Sequence, residues 1–138
     1  MNNLAAFYCQ IDRVDNARAI VEKSLTFFAH EENANDPHHA HALNLLAGIC
    51  YQEKKYTEAI KLFKYAIMLT EKNFGHNLDY AIACENLGTT YKLSGQLQEA
   101  AEYLCKAIAV FESIHGMQGR AQRVAEHLRL ITEELELR

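Results

Sequence analysis

Residues 84–116 read CENLGTTYKLSGQLQEAAEYLCKAIAVFESIHG, and residues 43–75 read LNLLAGICYQEKKYTEAIKLFKYAIMLTEKNFG. The two stretches match at a shift of 41 residues, which aligns their small and apolar positions. A weaker third copy lies upstream, where residues 4–25 precede residues 46–67 by 42 positions. Self-similarity at a fixed period of about 20–50 residues is typical of stacked supersecondary units. The pattern therefore predicts a repeat protein.

Each copy is predicted to contain two antiparallel helices joined by a tight turn. Apolar residues between 43 and 50 recur at spacings of 3, 1 and 3 residues, which is one face of a helix. A second apolar face begins at Tyr56, after the polar residues 52–55. In the other long copy the break between the helices falls at Ser94-Gly95, a stop-and-turn signal.

Small residues are expected where the two helices of a copy cross. Gly88 and Ala47 take the same place in the first helix of their copies, and Ala100 lies in the second helix. Such residues let two backbones approach closely, so a leucine at Gly88 should overpack the crossing. Gly75 and Gly116 follow the second helices, where a left-handed C-terminal cap favours glycine.

Residues 85–108 resemble a tetratricopeptide repeat. The residues that occupy its signature places are Leu87, Gly88, Tyr91, Gly95, Leu97, Ala100, Leu104 and Ala107. Residues 43–67 resemble it too, with Ala47 where glycine is usual. The period of 41–42 residues exceeds the usual 34 and is more similar to the kinesin-light-chain variety of the family.

This resemblance implies an all-α fold, a right-handed α-solenoid of antiparallel helix pairs in a single domain over residues 1–138. About three repeats plus a C-terminal capping helix are expected. Repeat 1 covers about residues 1–35 and looks N-terminally truncated, and the other boundaries are about 38–76 for repeat 2, 79–117 for repeat 3 and 120–136 for the cap. On the cap, Arg129 falls where Gly88 stood, and Leu130 and Leu137 form an apolar edge that is either a dimer contact or scattered surface.

The charge balance argues against a nucleic-acid partner. The chain has 14 basic and 18 acidic residues and a formal net charge of −4, with no basic stripe to displace phosphate counterions. No apolar run approaches the ~20 residues that a membrane span needs. The N-terminus also lacks the basic start and apolar stretch of a secretory signal. A cytoplasmic protein is expected, with no membrane association.

The cysteines and histidines offer two candidate sites of chemistry. Cys9, Cys50, Cys84 and Cys105 lie apart among helical apolar neighbours, so reduced core or groove thiols are favoured over a disulfide framework. Residues 38–41 hold three histidines, which either chelate a metal or form a solvated helix start. A zinc site needs three or four ligands, and no neighbouring cysteine or carboxylate completes one here. No metal and no cofactor are expected.

Catalytic motifs are missing from the sequence. It contains no G-x-S-x-G nucleophile motif, no glycine-rich phosphate loop and no cysteine with histidine in a catalytic setting. Adjacent carboxylates such as Glu31-Glu32 diverge on a helix, which suits solvation rather than acid–base chemistry. We therefore do not expect an enzyme.

The resemblance also implies where a partner would bind. In the family, the first helices of the repeats line a concave wall that binds extended peptides or a partner helix. Helical register predicts the residues on that wall, and the candidate peptide-binding residues are His41, Asn44, Tyr51, Gln52, Glu85, Thr89, Lys92, Leu93, Arg123 and Glu126. By count the charges on this wall nearly balance, and too few cations are present for the carboxylate clamp that some family members use.

The leading hypothesis is a protein–protein interaction scaffold that binds a peptide or helix of a partner in the concave groove. The alternative is a structural or assembly segment of a longer repeat protein that self-associates through its end helices. A monomer or a weak homodimer through the C-terminal helix is expected. The size of the native particle separates the two hypotheses.

Overall fold

The computed structural model describes residues 18–19, 21–23, 26 and 37–137. These residues form α-helices and turns, and none of them lies in a strand. The complete helices are α1, Pro37–Gln52; α2, Tyr56–Phe74; α3, Leu78–Leu93; α4, Leu97–Ser113; and α5, Gln118–Glu136. Most of the predicted first repeat, residues 1–35, lies outside the described residues.

The chain divides into two compact units, residues 1–69 and residues 70–138. In the first unit, α1 packs on α2 through a small apolar cluster. Its buried members are Ala40, Leu43 and Ala66, and Leu62 and Leu69 pack against them. Two of the three buried members are alanines.

In the second unit, α4 packs against both α3 and α5. The largest side chains that are fully buried there come from all three helices: Leu87, Leu104, Phe111, Val124 and Ile131. Burying each of them contributes about 1.5–3 kcal/mol through the hydrophobic effect. Val124 and Ile131 belong to the apolar stripe by which the capping helix is predicted to cover the last repeat.

The helices α3 and α4 approach closely at Gly88. A Cβ atom placed on Gly88 would lie 2.7 Å from Cδ2 of Leu104 and 3.2 Å from the backbone oxygen of Ala100. Leu104 is 1% exposed, so its side chain has little room to move away. Only glycine fits this crossing without a shift of its neighbours.

The turn between α3 and α4 has the hydrogen bonds of a left-handed helix cap. The Gln96 N–H donates to the Tyr91 carbonyl at 2.9 Å, and the Gly95 N–H donates to the Lys92 carbonyl at 3.1 Å. Gly95 has a φ of 86°, a backbone conformation that glycine adopts without a steric penalty.

The turn between α1 and α2 repeats this arrangement 41 residues earlier without a glycine. The Lys55 N–H donates to the Cys50 carbonyl at 2.8 Å, and the Lys54 N–H donates to the Tyr51 carbonyl at 3.0 Å. Lys54 has a φ of 63°, so a residue with a Cβ holds the left-handed conformation here. The two turns therefore share the same backbone hydrogen bonds, just as their sequences are similar. In the α1–α2 turn the left-handed residue has a Cβ, so the backbone is strained there.

Candidate functional site

Four of the predicted wall residues lie on α1. His41 and Gln52 are exposed, while Asn44 and Tyr51 are half-buried. The Tyr51 ring meets Tyr56 edge to face with 5.9 Å between the ring centroids. The side-chain oxygen of Asn44 is shielded from solvent and accepts no hydrogen bond from the part of the chain that the structure describes. This face therefore presents the Tyr51 ring, while the Asn44 oxygen lies beneath the surface.

Four more predicted residues lie on α3, in the second unit. Glu85, Thr89 and Lys92 are half-buried, and Leu93 is 49% exposed. The Thr89 hydroxyl donates to the Glu85 carbonyl at 3.0 Å, one turn back along the helix. This internal bond uses the only donor of the threonine side chain, which leaves its oxygen as an acceptor for a ligand.

The structure brings three of the predicted residues together in one cleft of the second unit. Glu85 on α3 lies with Arg123 and Glu126 of α5 around an open space of about 530 Å³. Arg120 and His127 complete the lining. Thr89, Lys92 and Leu93 do not line this cleft.

Arg120 and His127 are the lining residues that the sequence analysis missed. They stand three residues before and four residues after Arg123 on α5, so all three lie on one helical face. The signal was therefore available in the spacing. Arg120 stood at the expected first position of the cap, whereas α5 begins two residues earlier, at Gln118.

Glu85 and Arg120 form an ion pair across the base of the cleft. Their Oε1 and Nε atoms lie 3.0 Å apart, and both side chains are mostly shielded from solvent. The Arg120 guanidinium also lies over the Phe111 ring, 5.0 Å from its centroid. One arginine thus connects α3, α4 and α5, and the carboxylate of Glu85 already has a cationic partner.

Glu126 is also paired. Arg129, one turn further along α5, hydrogen-bonds to Glu126 and to Glu133. The hydrogen bond from Arg129 lowers the pKa of the Glu126 carboxyl, and the same carboxylate raises the pKa of Arg129. Arg129 lies on the exposed side of the helix, where the bulky charge predicted at this position is accommodated.

The described thiols differ in environment. Cys50 and Cys84 are buried, as expected, but Cys105 is exposed on α4, and this departs from the expected core or groove location. Burial raises the pKa of Cys84 to about 11, against a weaker opposing effect of its hydrogen bond with Tyr80. Burial also raises the pKa of Cys50, although hydrogen bonding to Arg18 opposes it.

Within residues 18–19, 21–23, 26 and 37–137, no three His, Cys, Asp or Glu side chains are arranged to hold a metal ion. His38 and His41 both lie exposed at the start of α1. None of the described helices combines the length and the apolar character that crossing a membrane requires.

Comparison with known proteins places this geometry in context. A tetratricopeptide repeat family model matches residues 1–72 and 38–113. A curated relative, the secreted RxLR effector protein RXLR-C07 of Plasmopara halstedii, is 26% identical over 111 residues. That match covers 80% of this chain but only 31% of the relative, so the chain spans about a third of the relative's length.

Two solved structures share this fold. PcrH, solved in complex with the chaperone binding region of PopD, matches with a TM-score of 0.77 and 14% identity over 96% of this chain and 88% of PcrH. A kinesin-light-chain-type protein of P. anserina with nearly identical TPR-like repeats matches with a TM-score of 0.73 and 22% identity over 99% of this chain and 70% of that one. These likenesses show the fold class, an all-α solenoid of tetratricopeptide type.

Proposed function

Because the chain belongs to the tetratricopeptide repeat family, we propose that it is a protein-interaction scaffold. Its ligand is a peptide or a helix of a partner protein, bound on the face that the first helices of the repeats present. The period of 41 residues supports assigning the repeats to the kinesin-light-chain variety. The scaffold has no catalytic role in this proposal.

The observation that carries the proposal is the cleft between α3 and α5. It is an open space of about 530 Å³ with charged side chains around it. That volume lies in the range of about 300–1,000 Å³ typical of ligand sites. Glu85 and Arg120, which both line it, form an ion pair between α3 and α5, and we expect a ligand to bind with little backbone change.

The comparison with PcrH is consistent with this proposal. PcrH has the same fold and was solved with a segment of another protein bound to it. At 14% identity, PcrH supports only the general idea that a protein of this fold can hold a segment of a partner. It does not indicate which partner this chain binds.

The proposal is tested by capture of partners from a lysate. The intact chain and a wall variant, Tyr51→Ala with Lys92→Glu and Glu126→Lys, are immobilised side by side, and circular dichroism first verifies equal helix content. Glu126→Lys changes a residue that lines the cleft, and together with Lys92→Glu it leaves the net charge unchanged. A photo-crosslinking residue in place of Leu93 on α3 or of Ala109 on α4, both exposed, then maps where a captured partner lies. We expect crosslinking from position 93, and capture that the wall variant loses. Equal capture by both chains, with crosslinks from position 109, would place the partner on a different face.

Self-association through α5 is a second candidate function. Leu130 is 46% exposed and Leu137 is 88% exposed on this helix, and exposed leucines are a source of dimer contacts. Light scattering after size-exclusion chromatography distinguishes a monomer from a dimer. A dimer that Leu130→Gln with Leu137→Gln dissociates would support this function, and a monomer at high concentration would exclude it.

A further inference from the structure

One side of α2 is exposed, apolar and basic at the same time. Lys61, Lys64, Tyr65 and Met68 follow one another at spacings of three, one and three residues, and all four are exposed. Tyr65 is 44% exposed and Met68 is 53% exposed. Clustered exposed apolar side chains, unlike scattered ones, are typical of interaction surfaces. We call these four residues the α2 face.

The Tyr65 ring is held in place by a contact inside the first unit. It meets the ring of His39 on α1 edge to face, with 5.8 Å between the two centroids. His39 is buried, so one edge of the tyrosine is fixed while the rest of the side chain is open to solvent. A ring that is already positioned loses little conformational freedom when a partner binds, and it is a suitable anchor for one.

The charge around the α2 face is opposite to that of the whole chain. Residues 54–68 contain four lysines, all of them exposed, and one glutamate, Glu58. Glu53, which precedes this stretch, is paired with Arg18. A positive surface on a chain with a formal net charge of −4 favours a negatively charged partner, and another copy of the chain can supply one.

The C-terminal half of α5 has the complementary character. Leu130 and Leu137 are exposed two turns apart on one side of the helix, and Glu133 and Glu134 lie between them in the sequence and are also exposed. We call these four residues the α5 face. It therefore combines exposed apolar side chains with acidic ones, as the α2 face combines them with basic ones.

The α5 segment stays negative after its internal ion pairs are counted. Residues 123–137 contain four glutamates and two arginines. One of these arginines, Arg129, is shared between Glu126 and Glu133, so it cannot neutralise both. The formal charge of this segment is opposite in sign to that of residues 54–68.

Resting on the candidate function of self-association through α5, we propose that the α5 face of one copy binds the α2 face of a second copy of this chain. The two leucines pack against Tyr65 and Met68, and the glutamates meet the lysines. The contact joins two different surfaces, so it is heterologous. Pairing α5 with α5 would instead bring glutamates next to glutamates, and like charges brought together at an interface weaken binding.

The test reverses the charge of each face in the whole chain and measures self-association by sedimentation equilibrium. Lys61→Glu with Lys64→Glu should weaken association about tenfold, and Glu133→Lys with Glu134→Lys should do the same. The two reversed chains should bind each other when they are mixed, because each then carries the charge that the other needs. Circular dichroism verifies that every variant is folded.

A matched control separates the local effect from net charge. Lys23→Glu with Lys106→Glu makes the same change in net charge at two exposed positions outside both faces, and it should alter association less than twofold. Tyr65→Ala with Met68→Ala leaves the charge unchanged and should also weaken association, because it removes the apolar part of the contact.

The inference and the function on which it rests fail in different ways. An equal effect of the α2 reversal and its control, or no binding between the two reversed chains, would overturn the inference. If Leu130→Gln with Leu137→Gln dissociates the chain but the α2 reversal does not, self-association through α5 stands and its acceptor surface lies elsewhere. A chain that stays monomeric at millimolar concentration would overturn both.

Discussion

Arg120 reaches from the first turn of α5 to Glu85 on α3, with 3.0 Å between its Nε and the Oε1 of the glutamate. The two residues are 35 positions apart in the sequence. The same guanidinium covers the ring of Phe111, so the polar contact is built on top of an apolar one. A single side chain thus secures the last helix to both of the others in its unit.

Arg120→Ala should lower the free energy of unfolding by about 1–2 kcal/mol, because it removes a partly shielded ion pair and a cation–π contact. Arg120→Lys should recover only part of this loss, since lysine lacks the planar fork. Arg123→Ala is the matched control on the same helical face, and it should cost less than about 0.5 kcal/mol. Urea titration followed by circular dichroism measures all three. Equal losses for the two alanine variants would mean that the contact contributes nothing to stability.

Gly88→Ala should destabilise the chain even though alanine favours helix by about 1 kcal/mol. The added Cβ would lie 2.7 Å from the buried Leu104 side chain, and overpacking of this kind costs about 1–3 kcal/mol. Gly48→Ala on α1 is the matched control, because a Cβ there meets nothing within 4 Å and should be stabilising. Thermal melts measure the difference.

The double variant Gly88→Ala with Leu104→Ala tests whether the clash with Leu104 causes the loss of stability. If the clash with Leu104 is responsible, the second substitution relieves it, and the two effects will not add. Additive losses would instead place the effect of Gly88→Ala elsewhere in the helix.

Lys54→Gly should raise the melting temperature, since it relieves a residue that holds a φ of 63° between α1 and α2. In the left-handed conformation, a residue with a Cβ is less favourable than glycine by about 1–2 kcal/mol. Part of the gain in stability from Lys54→Gly is offset, because glycine is more flexible in the unfolded state. Gly95→Ala is the reverse experiment at the equivalent turn and should lower stability by a similar amount. A neutral or destabilising Lys54→Gly would contradict the expectation.

Stability should fall with rising pH above about pH 9 through the Cys84 thiol. Its pKa is raised to about 11 in the folded chain from a reference of 9.0, so the folded state holds this proton to higher pH than the unfolded state does. The stabilising effect is therefore complete below pH 9 and is lost as the pH rises through 11. Urea titrations at pH 8, 9, 10 and 11 measure it.

Cys84→Ala is the control for this pH dependence, because the pKa of Tyr80 is also raised and its titration adds to the loss at high pH. The intact chain should therefore lose more stability than the variant between pH 9 and pH 11. The same slope in both chains would remove Cys84 from the explanation.

The helical period predicts the core of each unit because burial depends on which face of a helix a residue occupies. Leu87, Leu104 and Ala100 are buried where the repeat pattern expects them, and the close approach at Gly88 is confirmed. The pattern is less accurate at the edges of the apolar helix faces, because Leu46 and Tyr56 share the apolar register but are only half-buried.

The cleft was harder to predict, for a physical reason. Periodicity places Glu85, Arg123 and Glu126 on a face but does not choose which cation each carboxylate will contact. Arg120 could have paired with either acid or with water, and the choice depends on rotamers and on the position of the Phe111 ring. The pairing of Arg120 with Glu85 and of Arg129 with Glu126 follows from these choices. Which residues bind a partner stays a prediction.

The turn held by Lys54 and the turn held by Gly95 are two versions of one hydrogen-bonded structure within a single molecule. The amides of Lys55 and Gln96 make the same bond, at 2.8 and 2.9 Å, in the same solvent and at the same protein concentration. Their hydrogen-exchange rates therefore compare a strained and a relaxed helix cap inside one sample. Faster exchange at Lys55 would show that the α1–α2 turn opens more readily than the α3–α4 turn.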